Sequence, residues 1–309
     1  MDGDQGLTGG RSALSGADAP DSRKRLLAWL YRHPRLQLVL LLSPPVGWLG
    51  VVYLGSLAVL LASAFWYLDP LTSAIRHEAN LRNFQVLLSD PVYRTVTFRT
   101  VGIATLVTLT DIALAFPLAY YMARLARPRL RRLLFMLVLL PLWSSYLVRV
   151  YAWRVILTQG GPLDWFFGSI GLPGVTLGYS DASMWIVFSY IWLPYMILPL
   201  YAGLERIPSS LLEASADLGA RSRQTFRRIV LPLVLPAAVA GSIFTFSLTL
   251  GDYITPQLVS NSQFIGNVVF DSQGVAGNVP FAAAFATVPI VVMAGYLLIA
   301  RRLGAFEAL

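Results

Sequence analysis

The chain has 309 residues, of which 56% are hydrophobic and only 13% carry a charge, and its mean hydropathy is +0.62. Soluble domains carry about 25% charged residues, so this composition excludes an ordinary soluble globular protein and indicates a protein that lies in lipid. The formal net charge of +8 would suggest a nucleic-acid partner in a soluble protein, and here it must first be compared with the membrane topology.

The first 36 residues are rich in Gly, Ala, Ser and Asp and turn basic at residues 23–25 and 32–35. They contain no apolar run, so they predict a disordered basic tail in the cytoplasm. A cleaved signal peptide is the competing interpretation, because an Ala-Ser-Ala sequence ending at Ala64 resembles a cleavage site. The uncharged run over residues 38–68 is far longer than the apolar region of a signal peptide, about 7–15 residues, which favours the tail.

Runs of about 20 mostly apolar residues, the length that crosses a bilayer as a helix, occur six times. They predict an all-α membrane protein with six transmembrane helices, over residues 38–68, 101–123, 133–152, 184–204, 230–250 and 281–300. The first run contains Pro44 and Pro45. Because Pro interrupts a helix interior, we expect the crossing part to begin near Val46, after an interfacial piece.

Lys and Arg residues are distributed unequally between the two sides of the predicted membrane. Eighteen of the 24 lie before the first span, after the last, or in the two loops that share their side. The opposite side carries Arg76, Arg82, Arg94, Arg99, Arg149 and Arg154. Basic residues accumulate on the cytoplasmic side, so both termini are predicted to be cytoplasmic, in a multi-pass protein of the cytoplasmic (inner) membrane. The positive charge then reports topology, and we expect lipid and no nucleic acid around the chain.

The predicted cytoplasmic segment at residues 205–231 reads ERIPSSLLEASADLGARSRQTFRRIVL. This pattern predicts a helix, a turn and a second helix. Ser210 and Glu213 fit a capping box at the start of the first helix, and Gly219 is a natural left-handed stop at its end. A second, short helix would run from Ser222 towards Ile229.

The first of these two helices is predicted to have two different faces. Its apolar face carries Leu211, Ala214 and Leu218, and its acidic face carries Glu213 and Asp217. On physical grounds alone, a pair of amphipathic helices on the membrane surface explains the segment equally well, because the Arg residues that follow would favour a lipid surface.

The spacing within this segment carries more information than its amphipathicity. Glu213-Ala214-Ser215 is followed after three residues by Gly219, and after nine more by Ile229-Val230-Leu231-Pro232. This resembles the EAA signature of ABC importer permeases, which is Glu-Ala-Ala, three residues, Gly, nine residues and Ile-x-Leu-Pro. Ser215 in place of the second Ala is the one departure, and it exchanges one small residue for another.

The resemblance covers about residues 93–302 and implies the type I ABC importer permease fold. Residues 37–92 would be an extra first helix with its extracytoplasmic loop, and residues 303–309 a cytoplasmic tail. In that family the EAA loop, here residues 205–231, forms a coupling helix that seats in a groove of a separate ATPase. The coupling residues implied for this chain are Glu213, Ala214, Ser215, Asp217, Gly219, Ile229 and Pro232, with Pro232 in the first turn of the fifth span.

The same resemblance implies the partners. They are two ABC ATPase subunits, a second homologous permease that is usually a different chain, and an extracytoplasmic solute-binding protein, for which residues 252–280 are a candidate contact. The chain lacks a Gly-x4-Gly-Lys-Ser/Thr phosphate loop. We therefore expect a non-catalytic transport subunit that binds no cofactor, with ATP and Mg used by the partner ATPase.

Two further stretches resemble the spermidine/putrescine-type branch of the family: LPLWSSYLVRVYAW at residues 140–153 and LGDYITP at residues 250–256. The resemblance implies inward transport of a polyamine. Related permeases for ferric iron, phosphonates, opines and sulfate-type anions share parts of these stretches, so those solutes remain alternatives.

Six residues are candidates for the substrate path: Asp111, Trp143, Tyr146, Tyr151, Asp252 and Tyr253. Asp111 is the only acid well inside a predicted span, where an ionisable group is costly and is by default a functional candidate. Aromatic ring faces attract ammonium groups by about 0.5–2 kcal/mol each. The structural alternatives are pairing of Asp111 with Thr108, Thr110 or a partner subunit, and an ordinary interfacial belt of aromatic residues. Arg149 and Arg154 would favour an anion, although snorkelling to the outer interface explains them better.

Two other classes of protein fit less well. An ion-coupled secondary transporter would show repeated halves and broken midplane helices, and it leaves the EAA pattern unexplained. A membrane-embedded enzyme would need a reactive cluster at membrane depth. The chain has no Cys, and His33 and His77 both lie outside the predicted spans, without metal-ligand spacing.

Overall fold

The computed structural model describes Trp29, Tyr31 and residues 33–171 and 177–302. The chain divides into two compact units, Met1–Val59 and Leu60–Leu309. The two predicted tails, residues 1–36 and 303–309, lie almost wholly outside the described residues.

The described residues are mostly helical, with one short antiparallel pair of strands, β1 (Tyr67–Leu68) and β2 (Ile75–Arg76). The α-helices are α1 Pro34–Gly47, α2 Gly55–Ser63, α3 Arg82–Ser89, α4 Pro91–Tyr120, α5 Pro128–Leu139, α6 Tyr146–Leu157, α7 Pro162–Ser169, α8 Asp181–Glu205, α9 Ser209–Asp217, α10 Ser222–Thr225, α11 Leu231–Gly251, α12 Ile254–Val259, α13 Ile265–Gly274 and α14 Val279–Arg302. Short π-helical or 3-10 stretches join several of them: Trp48–Leu54, Tyr121–Leu125, Leu140–Trp143 and Phe226–Val230.

Five helical stretches among the described residues are long and apolar enough to cross a membrane. They are span one Pro34–Ser63, span two Pro91–Leu125, span four Asp181–Glu205, span five Ser222–Gly251 and span six Val279–Arg302. Span three is a bent pair, Pro128–Trp143 and Tyr146–Ser169. The prediction of six spans is confirmed when the bent pair is counted as one.

Span one is a single helical stretch of 30 residues that begins at Pro34, and Pro44 and Pro45 do not break it. Pro44 has no N–H for the carbonyl of Leu40, and the Ser43 hydroxyl donates to that oxygen instead, at 3.1 Å. The π-helical stretch Trp48–Leu54 follows directly, and its wider turns accommodate the hydrogen bonds that the two prolines leave unmade. At 1.5 Å per residue the stretch is about 45 Å long, which exceeds the hydrocarbon thickness and leaves room for an interfacial end.

Span three differs from the straight helix predicted over residues 133–152. The chain leaves α5 through a 3-10 turn, extends at Ser144 and Ser145, and then starts α6, so that the two arms meet at 96°. Pro141 lacks the N–H that would continue the helix. The Ser144 hydroxyl donates back to the Pro141 carbonyl at 2.7 Å, a local bond that competes with the helical one.

Span four is the central helix of the second unit. Buried residues make up 61% of its apolar window, against 22–33% for spans two, five and six. Its neighbours approach closely because small residues face it. A Cβ added at Gly241 would lie 2.8 Å from Met196 Sδ, so span five contacts span four there without room for a side chain.

Candidate functional site

The predicted coupling segment forms a helix, a turn and a second helix. Helix α9 begins at Ser209, one residue before the predicted start, with Pro208 at its N-cap position and no side-chain cap. The predicted capping box of Ser210 and Glu213 is therefore wrong. Because Ser210 already lies inside the first turn, its hydroxyl cannot take the N-cap position, and Pro208 directs the chain into the helix instead.

The end of α9 is as predicted. Gly219 has φ +75°, its N–H bonds the carbonyl of Ala216 at 2.8 Å, and the N–H of Ala220 bonds the carbonyl of Ser215 at 3.0 Å. These two bonds form a Schellman motif, which closes a helix through a left-handed residue. No atom outside its immediate neighbours lies within 4 Å of a Cβ added at Gly219. The glycine is thus required by backbone conformation and not by space.

The apolar face of α9 is exposed. Leu218 is 87% exposed and Leu211 43%, and Ala214 is exposed beside them. Glu213 and Asp217 are exposed too. The side that packs inward carries Leu212, which contacts the core between spans two, four and five. An apolar face in this position is typical of a surface that another protein covers.

Ser215 is the buried polar residue of α9, 7% exposed. Its hydroxyl lies 2.9 Å from Thr225 Oγ1 and also donates to the carbonyl of Leu212 at 2.9 Å. The residue that departs from the family pattern thus joins the two helices of the segment. Nothing in the sequence pointed to Thr225, because hydroxyl pairs ten residues apart follow no local periodicity.

The second helix begins at Ser222 as predicted, where Gln224 Oε1 accepts from the N–H of Arg221 at 2.9 Å. It does not stop near Ile229. Through the π-helical turn Phe226–Val230 it runs directly into α11, so the coupling segment and span five form one helical stretch. Pro232 lies in the first turn of α11, ten residues after the start of span five at Ser222 and not in the first turn of that span. Its missing N–H explains the wider turn before it.

Asp111 lies fully buried in span two, and neither carboxylate oxygen has a hydrogen-bond partner among the described residues. The two hydroxyls considered as partners bond elsewhere. Thr108 donates to the carbonyl of Ala104 at 2.7 Å, and Thr110 donates to the carbonyl of Leu106 at 2.8 Å. An uncompensated polar group in a protein interior is costly, which keeps Asp111 a functional candidate.

Tyr146 and Asp252 are the two path candidates that the structure brings together. The Tyr146 hydroxyl donates to Asp252 Oδ2, and Thr255 Oγ1 donates to the same oxygen at 2.9 Å. Asp252 Oδ1 accepts from the N–H of Ile254 at 2.8 Å. The Asp252 carboxylate therefore accepts hydrogen bonds at the start of α12. Through Tyr146 it also links span three to the end of span five. Thr255 is a member of this cluster that the sequence analysis missed.

The other aromatic candidates lie apart from this cluster. Trp143 is 89% exposed and Tyr151 49%, on the outer surface of the chain. Tyr253 stacks on Phe270 with ring centroids 4.6 Å apart. Arg149, expected to snorkel outwards, is instead buried, with its guanidinium 6.0 Å from the Tyr146 ring. The described residues contain no group of three or more His, Asp or Glu that could hold a metal ion.

The sequence pattern of the protein family described as "Binding-protein-dependent transport system inner membrane component" matches residues 115–306, more than half of the chain. The chain belongs to this family of membrane permeases. It is therefore a multi-pass subunit of an ABC transport system in the inner membrane, and the resemblance noted in the EAA segment is confirmed.

Two curated relatives are similar over most of their length. The inner membrane ABC transporter permease protein YdcU of Escherichia coli (strain K12) is 47% identical over 299 residues, which cover 92% of this chain and 95% of the relative. The spermidine/putrescine transport system permease protein PotB of Salmonella typhimurium (strain SL1344) is 33% identical over 260 residues, covering 82% of this chain and 89% of the relative.

The fold is also found among solved structures. A bacterial alginate ABC transporter, solved in complex with a periplasmic protein that holds an alginate pentasaccharide, matches with a TM-score of 0.71 at 18% identity, over 92% of this chain and 98% of that one. The predicted type I ABC importer permease fold is thus confirmed. At this identity the likeness concerns the fold alone.

Proposed function

We propose that this chain is one of two permease subunits of an ATP-driven importer that moves a polyamine inward across the cytoplasmic membrane. Its partners are two ABC ATPase subunits, a second homologous permease that is a different chain, and an extracytoplasmic solute-binding protein. This chain binds no cofactor, and ATP and Mg are used by the ATPase subunits.

The geometry of α9 carries the ATPase part of the proposal. The helix presents Leu211, Ala214 and Leu218 outward, with Glu213 and Asp217 beside them, and the Schellman motif at Gly219 fixes where it ends. Exposed apolar side chains are stabilised when another protein buries them. Helix α9 is exposed on one face, and the helix that follows it after the turn is continuous with span five. This arrangement is suited to pass a partner's movement into the membrane.

The periplasmic protein bound to the alginate transporter supports a solute-binding partner for this chain. The polyamine part rests on PotB, which is named as a spermidine/putrescine permease, and on the acids Asp111 and Asp252. A carboxylate buried without a partner at membrane depth, as in Asp111, would be compensated by the ammonium group of a passing polyamine. Asp252 would become available only after Tyr146 releases it.

We propose that Trp143, Tyr146 and Tyr151 line the path together with these two acids and Tyr253. Trp143 and Tyr151 are exposed on this subunit, so they would border a path formed between it and the second permease. Full polyamine uptake by an Asp252→Asn/Tyr253→Ala double variant in the assembled transporter would exclude that pair from the path. Asp111→Asn is expected to lower polyamine uptake without reducing the amount of assembled complex.

The ATPase contact is tested with a pair of leucine variants. Leu218→Gln removes an exposed apolar side chain at the end of α9, whereas Leu130→Gln removes a leucine that is 37% exposed at the cytoplasmic start of span three. Burial of a leucine is worth about 1.5–3 kcal/mol, so Leu218→Gln is expected to weaken ATPase binding by about tenfold or more. Equal binding by both variants and the wild type would contradict the docking role of α9.

The solute is tested by ATP-dependent uptake of radiolabelled spermidine and putrescine into proteoliposomes that hold the whole assembly. Saturable uptake that requires ATP and the binding protein would support the proposal. If the ATPase binds and neither polyamine enters, the transporter architecture stands and the polyamine proposal is wrong. If the ATPase does not bind the wild-type permease, the coupling proposal is wrong.

A further inference from the structure

The cytoplasmic end of span two lies beside the entrance to α9, and the Arg124 side chain joins them. Arg124 Nη2 donates to the carbonyl of Leu204 at 2.5 Å and to the carbonyl of Ile207 at 2.6 Å. Leu204 is in the last turn of span four, and Ile207 stands directly before Pro208, where the chain turns into α9. One guanidinium nitrogen thus bonds to both sides of the turn between span four and α9, residues 204–208, which we call the joint.

The chemistry of a helix end favours such a bond. The last carbonyls of an α-helix have no N–H partner within the helix, and a cation near them is stabilised by the helix dipole. Pro208 offers no N–H either. A guanidinium has five N–H donors and stays charged, and the same nitrogen can donate one hydrogen to each carbonyl.

Apolar packing and a second arginine reinforce the joint. Leu204 and Ile207 are buried in one cluster with Met122 and Ala123 at the end of span two. Arg131, at the start of span three, pairs with Glu205 at 3.4 Å and donates to the carbonyl of Ala123 at 3.3 Å. The Arg131–Glu205 pair is about half exposed and contributes little by itself. Arg124 is half-buried and bonds to two backbone carbonyls, so it is the stronger link between span two and the joint.

We propose that Arg124 is a positioning residue that couples span two to the movement of α9. Span four is covalently continuous with α9, and span five is continuous with the second helix of the segment, so both follow α9 through the backbone. Span two has no covalent link to the segment and depends on side chains. Arg124 supplies that link, and span two carries the buried Asp111. The inference deepens the proposed coupling function and rests on it.

Distance measurements between two spin labels test this proposal directly. The chain contains no Cys, so labels can be placed at two chosen positions without removing any residue first. Leu125→Cys marks the end of span two and Ser210→Cys marks α9, and both side chains are exposed. The complete transporter is measured without nucleotide and in the presence of ATP and Mg with vanadate.

With Arg124 present, the distance is expected to stay single and narrow in both states, because the two ends move together. In Arg124→Gln, the distribution is expected to broaden or to change between the two states. Arg124→Lys keeps a cation with three donors and should recover part of the narrow distribution. Arg132→Gln is the matched control, because Arg132 is exposed and its side chain makes no hydrogen bond or ion pair among the described residues.

The same distribution in Arg124→Gln and in the wild type, in both states, would overturn the proposal. If Arg124→Gln only lowered the yield of folded complex and left the distances of the remaining complex unchanged, its role would be structural and the proposal would again be wrong. If the wild-type permease bound no ATPase, the coupling function itself would fail. The label distance in the permease alone would then still report whether Arg124 holds the joint.

Transport gives a second readout. Where polyamine uptake is established for the wild type, Arg124→Gln is expected to lower the amount of solute taken up per ATP hydrolysed by at least about fivefold, the lower end of typical coupling effects. ATPase binding should change little, because the outer face of α9 is untouched. An unchanged ratio of uptake to hydrolysis would contradict the coupling role.

Discussion

Replacement of Gly219 by Val tests the left-handed turn at the end of α9. Gly219 has φ +75°, and an L-residue with a side chain is less stable there by about 1–2 kcal/mol. A β-branched residue lies at or above the upper end of that range. Because a Cβ at Gly219 would meet no atom within 4 Å outside its immediate neighbours, the whole effect comes from the backbone and none from a clash.

The expected consequence is weaker ATPase binding. If docking needs the closed turn, a strain of about 2 kcal/mol or more for Val weakens the affinity by about 30-fold or more. The assay is the dissociation constant of the purified ATPase subunit for the permease in lipid nanodiscs. Gly219→Asn is the matched variant, since Asn adopts left-handed backbone several-fold more readily than most residues, and it should retain most of the affinity.

A glycine with nearly the same backbone conformation elsewhere in the chain separates strain from position. Gly160 has φ +74° and equally free space around an added Cβ, but it lies in the loop between α6 and α7. Gly160→Val should leave ATPase binding unchanged. Equal affinities for the Val and Asn variants at Gly219, or an equal loss in Gly160→Val, would refute the argument.

Two other predictions concern packing. In a double-mutant cycle of Ser215→Ala and Thr225→Val, ATPase binding is expected to show a coupling energy of about 0.5–1.5 kcal/mol for the lost hydroxyl pair, and strictly additive effects would mean that the pair does not position α9. Gly241→Ala should lower the stability of the solubilised permease by about 1–3 kcal/mol through overpacking, whereas Gly295→Ala should not, because the space around an added Cβ is open there. Equal melting temperatures for the two variants would contradict the close contact of spans four and five.

The six spans, their approximate bounds and the family could be predicted from the sequence because each depends on a local pattern. Apolar runs of about 20 residues identify spanning helices, and the spacing from Glu213 to Pro232 identifies the EAA segment. The left-handed stop at Gly219 was predicted for the same reason. A glycine after an amphipathic helix is a local signal, and the backbone obeys it without help from tertiary contacts.

The break in span three and the course of span one could not be predicted, although both contain Pro. Hydropathy does not report backbone direction. Pro141 is followed three residues later by Ser144, whose hydroxyl donates back to the Pro141 carbonyl, and the helix breaks there. Pro44 is preceded by Ser43, which donates to the carbonyl that the proline leaves without a donor, and the helix continues. The same residue type thus gives opposite results in the two spans.

The candidate path was only partly predictable because its members are far apart in sequence. Tyr146 and Asp252 were chosen separately, one as an aromatic residue and one as an acid, and no sequence feature showed that they bond to each other. The carboxylate was expected to be free for a cation, whereas its oxygens already accept from Tyr146, Thr255 and the backbone of α12.

The two sides of α9 also show why burial rules for soluble domains fail on this segment. Leu211 and Leu218 are exposed, while Ser215 is buried and bonded to Thr225. In a surface helix of a soluble domain the leucines would face the core, because their burial is favourable and the burial of a hydroxyl is not. In the reversed arrangement the exposed leucines offer an apolar surface that gains stability when another molecule covers it. Under the proposed function an ATPase subunit covers these leucines, and the hydroxyl pair of Ser215 and Thr225 beneath them holds α9 against the second helix of the segment.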